Sequence, residues 1–220
     1  MRLSSEPSAR DGATFTEVSG GRSSGAWAAR AALLAFAALA ATVVLRQATA
    51  LDVAIASAVR LGASPLGDAL ARAFTAIASG PATLVLSLAA ALAALAGGAR
   101  RTAAVLAVGW PANALAVQLL KVAFGRVRPA LAYTVAALPT PAFPSGHAMN
   151  AVVVFGLLAA AASRRWPRAR GVLTTLALAL ALGAGASRVY LGVHYPTDVL
   201  GGFAAGAALL AALAAALPAA

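Results

Sequence analysis

The chain is 220 residues long, 61% hydrophobic and 10% charged, with 17 Lys and Arg against 6 Asp and Glu and a formal charge of +11. A soluble domain is about 45–50% apolar and about 25% charged, so soluble, disordered and collagen-like chains fit poorly and membrane residence is implied. There is no cysteine, which removes a disulfide framework, a thiolate metal site and a cysteine nucleophile.

Residues 1–25 are polar, rich in Ser and Gly and without an apolar period, and read as a disordered cytoplasmic tail. Residues 26–220 read as one all-α, polytopic membrane domain of about six transmembrane helices. Its apolar stretches run over 27–45, 74–96, 102–120, 145–163, 171–187 and 196–217. Each is near the roughly 20 residues that cross a hydrocarbon core, where a helix satisfies its own backbone. The first stretch competes with a signal peptide ending at Ala48-Thr49-Ala50. The long region before it, and Arg46 and Gln47 after it, favour a retained helix.

Between the first two spans, Leu66, Leu70, Phe74 and Ile77 recur at helical spacing, with Asp68 and Arg72 set for an i,i+4 pair. An amphipathic helix on the outer surface is expected there, with packing favoured over guidance of a lipid. Asn113 and Gln118 in the third span are expected to hydrogen-bond between helices. Gly202 and Gly206 on the last span favour packing within the chain, with a homodimer face as the other reading.

With the N-terminus cytoplasmic, ten of the 17 cations fall on inner segments, and the short loops 97–101 and 163–170 are strongly basic. This is the positive-inside pattern. Most of the charge is thereby explained without a nucleic-acid partner. Arg126, on the outer side, reads as a headgroup contact or a solvated cation.

Three short segments fall at the outer ends of the later spans. Lys121 and Arg128 are seven residues apart, so they share a face if the helix continues until Pro129 ends it. Pro144-Ser145-Gly146-His147 opens the fourth span, where free N–H groups favour an anion. Ser187-Arg188 closes the fifth, and His194 and Asp198 flank Pro196 at the start of the sixth, with Asp198 within one turn of His194. Lys121 is the only lysine, His147 and His194 are the only histidines, and Asp198 is the only acid after Asp68. Ionisable groups this rare, brought to one side of a membrane, point to function.

Three cations and a helix N-terminus describe a pocket for a multiply charged oxyanion such as phosphate. Two histidines supply a nucleophile and a proton donor, and Asp198 can hold one imidazole in the attacking tautomer. Asp198 reads as the one well-placed carboxylate on this face, too few for a hard metal ion. Metal-independent transfer of an oxyanion group follows, with no cofactor.

The pattern K-x6-R-P, P-S-G-H, S-R-x5-H-x3-D, spread over residues 121–198, resembles the signature of the type 2 phosphatidic acid phosphatase superfamily, its membrane lipid phosphatase branch. The resemblance implies that His194 attacks phosphorus and carries a phosphohistidine, that Asp198 orients it, and that His147 protonates the leaving group. It implies that Lys121, Arg128, Ser145, Gly146 and Arg188 bind the phosphoryl oxygens. The expected activity is hydrolysis of a lipid phosphate or diphosphate: a prenyl diphosphate, phosphatidic acid or phosphatidylglycerophosphate. A phosphotransferase of the same fold and a non-catalytic lipid or anion transporter are the alternatives. The Ala- and Arg-heavy composition points to a bacterial plasma membrane with the site facing outward.

Overall fold

Every long apolar run of the sequence forms a helix in the computed structural model, which describes residues 20–44, 49–129 and 140–218. The order is α1 (Gly20–Val44), α2 (Thr49–Leu61), α3 (Pro65–Ile77), α4 (Gly80–Ala96), α5 (Arg100–Phe124), α6 (Gly146–Arg165), a 3-10 turn (Pro167–Ala169), α7 (Arg170–Tyr190) and α8 (Pro196–Ala215). The described residues contain no strand. Five helices are long and apolar enough to cross a membrane, and α3 with α4, bent by 48°, make a sixth if counted as one span. The helix α1 begins at Gly20, inside the stretch read as tail, and residues 1–19 lie outside the described residues. Ala48 of the considered cleavage site also lies outside them.

The second apolar run is divided where its sequence contains cap chemistry. Ser64 and Ser79 each accept a hydrogen bond from a first-turn amide, Gly67 N at 3.1 Å and Ala82 N at 3.3 Å. Pro65 and Pro81 follow them, and proline tolerates the first turn because those amides lack intrahelical acceptors. The expected span from residue 74 is therefore broken: 74–77 belong to α3, and α4 starts at Gly80.

Helix α6 is the centre of the bundle, packed on α4, α5, α7 and α8. Met149, Val153, Val154 and Leu157 are buried along it. Its contact with α8 is close because α8 presents glycine. A Cβ on Gly202 would lie 2.6 Å from Ser145 O, and one on Gly206 3.2 Å from Met149 O. The two glycines are thus used inside the chain and offer no face to a second copy. At the mouth of this contact the Ser145 amide donates to Asp198 O at 2.9 Å, tying the starts of the two helices. Phe143, just before α6, stacks on Phe36 of α1 and meets Phe124 of α5 edge-on.

The two ends of the bundle differ in chemistry. At one, Arg101 Nε donates to Ala216 O and Arg164 Nε to Pro218 O, both at 2.7 Å, so cations cap the C-terminal carbonyls of α8. The three signature segments lie at the other. Helix α3 is a packing helix: Phe74 fills the space left by Gly183 of α7, and the Ser64 amide donates to Tyr190 Oη at 2.9 Å. Asp68 pairs with Arg60 at 3.3 Å rather than with Arg72, because the short turn at 62–64 leaves the end of α2 beside the first turn of α3. Asn113 donates to Asn150 of α6, as expected, whereas Gln118 is exposed on the outer side of α5.

Gly202→Ala forces α8 away from α6 at a backbone contact. It is expected to cost about 1–3 kcal/mol, read as a lower unfolding midpoint in detergent. Gly171→Ala, with nothing within 4 Å of the added methyl, is expected to leave the midpoint unchanged.

Candidate active site

Helix α5 ends four residues before Arg128. Gly125 adopts a left-handed conformation (φ 55°) and its amide donates to Lys121 O, a stop that only glycine enters without a Cβ clash. The expected continuous helix to Pro129 is therefore absent, and Arg128 reaches the same region as Lys121 from an extended loop. Lys121 is buried and donates to Pro141 O. Arg128 donates Nε to Thr140 O at 2.8 Å, Nη2 to Thr140 Oγ1 at 3.0 Å, and Nη1 to Val193 O at 2.8 Å. Nη1 also meets His194 Nε2 at 3.0 Å.

Ser145 is the N-cap residue of α6, yet its side chain caps nothing; its Oγ is buried without a hydrogen-bond partner among the described residues. The Gly146 amide is one of the first-turn donors that helix geometry leaves without an intrahelical acceptor. His147, in the same turn, lies within electrostatic reach of Arg188, His194, Arg128 and Lys121. Arg188, in the last turn of α7, donates Nη1 to Thr75 Oγ1 at 3.1 Å, and Thr75 also bonds Ser187 Oγ at 2.9 Å. Arg188 Nε is buried and likewise without a partner among the described residues. Two unpartnered polar groups, one a cation, are thus sequestered beside two histidines. Such groups are costly to bury unless an acceptor satisfies them.

His194 follows a tight turn at Gly192 (φ 69°) and is 2% exposed. Its Nδ1 faces Asp198 Oδ2 at 3.4 Å. Arginine can only donate, so Nε2 must be the acceptor of the Arg128 bond and Nδ1 must carry the hydrogen. Burial is the first cause that lowers the imidazole pKa to about 4, and the neighbouring Asp198 carboxylate only partly opposes it. At neutral pH the ring is uncharged, with its lone pair on Nε2.

Asp198 is not the only acid at the site. Its Oδ2 accepts the Tyr195 amide at 2.9 Å, and its Oδ1 accepts Arg126 Nη1 at 2.6 Å. Arg126 Nη2 reaches Asp52 Oδ2 at 2.6 Å, so Asp52 of α2, 1% exposed, joins the cluster. Burial disfavours the charge on Arg126, but attraction to Asp198, hydrogen bonds to both carboxylates and attraction to Asp52 outweigh it and raise its pKa. The reading of Arg126 as a solvated or headgroup cation is thereby corrected. The signal for Asp52 was its place among Ala50, Leu51, Val53 and Ala54, since a lone carboxylate in an apolar helix needs a partner. Thr75 carried no such signal.

The structure brings together all the expected residues, Lys121, Arg128, Ser145, Gly146, His147, Arg188, His194 and Asp198, at one end of the bundle. A cavity of about 510 Å³ opens at Arg128, lined by Arg126, Arg128 and Tyr195 together with Val43, Val44 and Phe124.

Residues 102–220 match the PAP2 superfamily, and the chain belongs to that family. It is 45% identical over 67 residues to phosphatidylglycerophosphatase B of Bacillus subtilis (strain 168), a stretch covering 29% of this chain and 33% of that protein. The matched stretch thus spans about one third of the relative's length. The fold is also that of a transmembrane PAP2-type phosphatidylglycerolphosphate phosphatase from Bacillus subtilis whose crystal structure is known. The TM-score is 0.77 at 28% identity, over 85% of this chain and 94% of the other.

The His194 pKa makes a stability prediction. Between about pH 6.5 and 4 the unfolded ring binds a proton that the folded ring excludes, so the lower the pH in this window, the less stable the fold. The contribution is fully present above about 6.5 and is lost as pH falls toward 4, by roughly 3 kcal/mol in all. Unfolding midpoints in detergent should fall less steeply over this window for His194→Gln than for the wild type.

Proposed function

We propose that the chain is an integral membrane lipid phosphatase that hydrolyses a phosphatidylglycerophosphate-type lipid phosphate through a phosphohistidine on His194. The observation that carries this is the pair of buried, unpartnered donors, Ser145 Oγ and Arg188 Nε, set among Lys121, Arg128 and the two histidines. Phosphoryl oxygens supply the acceptors those donors need. The half-polar, half-apolar cavity at Arg128 suits an amphiphile, and the named Bacillus relatives act on a lipid phosphate of this type.

The reaction follows from the hydrogen-bond pattern. As phosphate enters, Arg128 Nη1 turns from His194 Nε2 to a phosphoryl oxygen, which frees the lone pair. Nε2 attacks phosphorus while the bond from phosphorus to the lipid oxygen breaks, and a protonated His147 passes its proton to that oxygen. Asp198 accepts the Nδ1 hydrogen and offsets the charge that develops on the ring. Lys121, Arg128, Arg188, Ser145 and the Gly146 amide hold the equatorial oxygens. Water, deprotonated by His147, then attacks phosphorus, the N–P bond breaks, and inorganic phosphate leaves. No metal is required, because the cations already balance the phosphoryl charge and Asp52 and Asp198 are both held by Arg126. The basic loops at the far end of the bundle support a site on the extracytoplasmic side of a bacterial plasma membrane.

The test is phosphate release from purified protein in detergent with EDTA. Phosphatidylglycerophosphate, phosphatidic acid and a prenyl diphosphate are offered, each with and without an alcohol acceptor. Release from phosphatidylglycerophosphate is expected to exceed the others, and His194→Ala should lower it by at least about 10³-fold. Inactivity on all three lipids, or an active His194→Ala protein, overturns the phosphatase reading. Activity abolished by EDTA and restored by magnesium overturns metal independence, and transfer to the alcohol in preference to water makes the chain a phosphotransferase.

A further inference from the structure

Resting on the phosphatase reading, we infer that Asp52 and Arg126 are positioning residues that set the orientation and net charge of the carboxylate behind the His194 nucleophile. Asp52 lies on α2, 146 positions before Asp198 in the numbering, yet the two carboxylates share one guanidinium. Arg126 bonds Asp52 Oδ2 and Asp198 Oδ1, each at 2.6 Å, and Thr197 Oγ1 at 2.7 Å. Asp52 in turn accepts the Thr197 amide at 3.0 Å and the Thr197 hydroxyl at 2.6 Å. It thus caps the first turn of α8 from another helix, at the end where the helix dipole favours an anion. The Tyr195 ring lies 4.6 Å from the Arg126 guanidinium and covers it. Arg126 is 10% exposed, Asp52 2% and Asp198 0% as side chains, so the group is held out of water.

The arrangement has two consequences. The first is geometric. Asp198 Oδ1 is occupied by Arg126, so only Oδ2 can face His194 Nδ1, which keeps the hydrogen on Nδ1 and the lone pair on Nε2. The second is electrostatic. Arg126 with Asp198 alone would be neutral and would offer little to an imidazole that becomes positive as it attacks phosphorus. With Asp52 the trio carries one net negative charge in a site screened from water, where such charge counts most. Asp52 therefore supplies, through Arg126, the counter-charge that Asp198 presents to the ring. Neither residue touches the phosphate-binding side chains, so the effect belongs to kcat.

The experiment uses the full chain in detergent with the lipid phosphate that the wild type hydrolyses best. Asp52→Asn and Arg126→Lys are each expected to lower kcat by about 10–100-fold, with KM and competitive inhibition by inorganic phosphate within twofold of wild type. The double variant should be little worse than the poorer single one, because the two act as a unit. Either folded variant with wild-type kcat overturns the inference, as does a loss confined to KM or to phosphate inhibition. Should both fail to fold, Asp52→Ser keeps an acceptor near the Thr197 amide while removing the charge, and wild-type kcat in that variant overturns the inference too. A wild type inactive on every lipid phosphate would instead defeat the phosphatase reading itself.

Discussion

The site depends on how closely α8 can approach α6. The two helices meet where Gly202 leaves no side chain between them, with Ser145 O 2.6 Å from where a Cβ would stand. The contact is locked by the Ser145 amide on Asp198 O. That bond joins the segment bearing Ser145 and His147 to the segment bearing His194 and Asp198. A bulkier α8 would separate the two histidines, and the remaining chemistry would have no centre. Packing density and active-site geometry are here the same constraint, because a protein interior transmits displacement instead of absorbing it.

Around that contact the electrostatics divide into two layers. Lys121, Arg128 and Arg188 stand on the histidines' side. Arg126 stands behind Asp198 and faces two carboxylates. The cations look alike in sequence but differ in partners: Lys121, Arg128 and Arg188 surround the histidines, and Arg126 neutralises charge that the fold has buried. The cost of burying Asp52 and Asp198 is offset only because Arg126 and the amides of Thr197 and Tyr195 satisfy their oxygens. His194 sits between the layers, kept neutral by burial and aimed by the carboxylate behind it.

Much of this was legible in residue spacing. Pro144 to His147 opens α6, and Pro196 opens α8 with Asp198 one turn from His194, because cap residues and helical proline are local signals that tertiary packing seldom overrides. The end of α5 was misjudged for an equally local reason. Pro129 drew attention as a helix breaker, while Gly125 ended the helix four residues earlier by entering the left-handed region. The Asp68 pairing with Arg60 lies outside what i,i+4 spacing describes, because that spacing belongs to one helix and Arg60 comes from the helix before the turn at 62–64.

By itself the sequence determined the class of fold, the apolar runs that become helices, the starts of α6 and α8, and most of the ionisable residues that gather at the candidate site. Those follow from hydrophobic length, cap chemistry and the scarcity of ionisable residues, which are properties of neighbours along the chain. Only the tertiary structure decided which cations surround the histidines and which supports Asp198, that Asp52 joins the cluster, and that Thr75 holds Arg188. Those contacts join residues far apart in the chain, between helices whose relative rotation is set by packing, and no local periodicity encodes them.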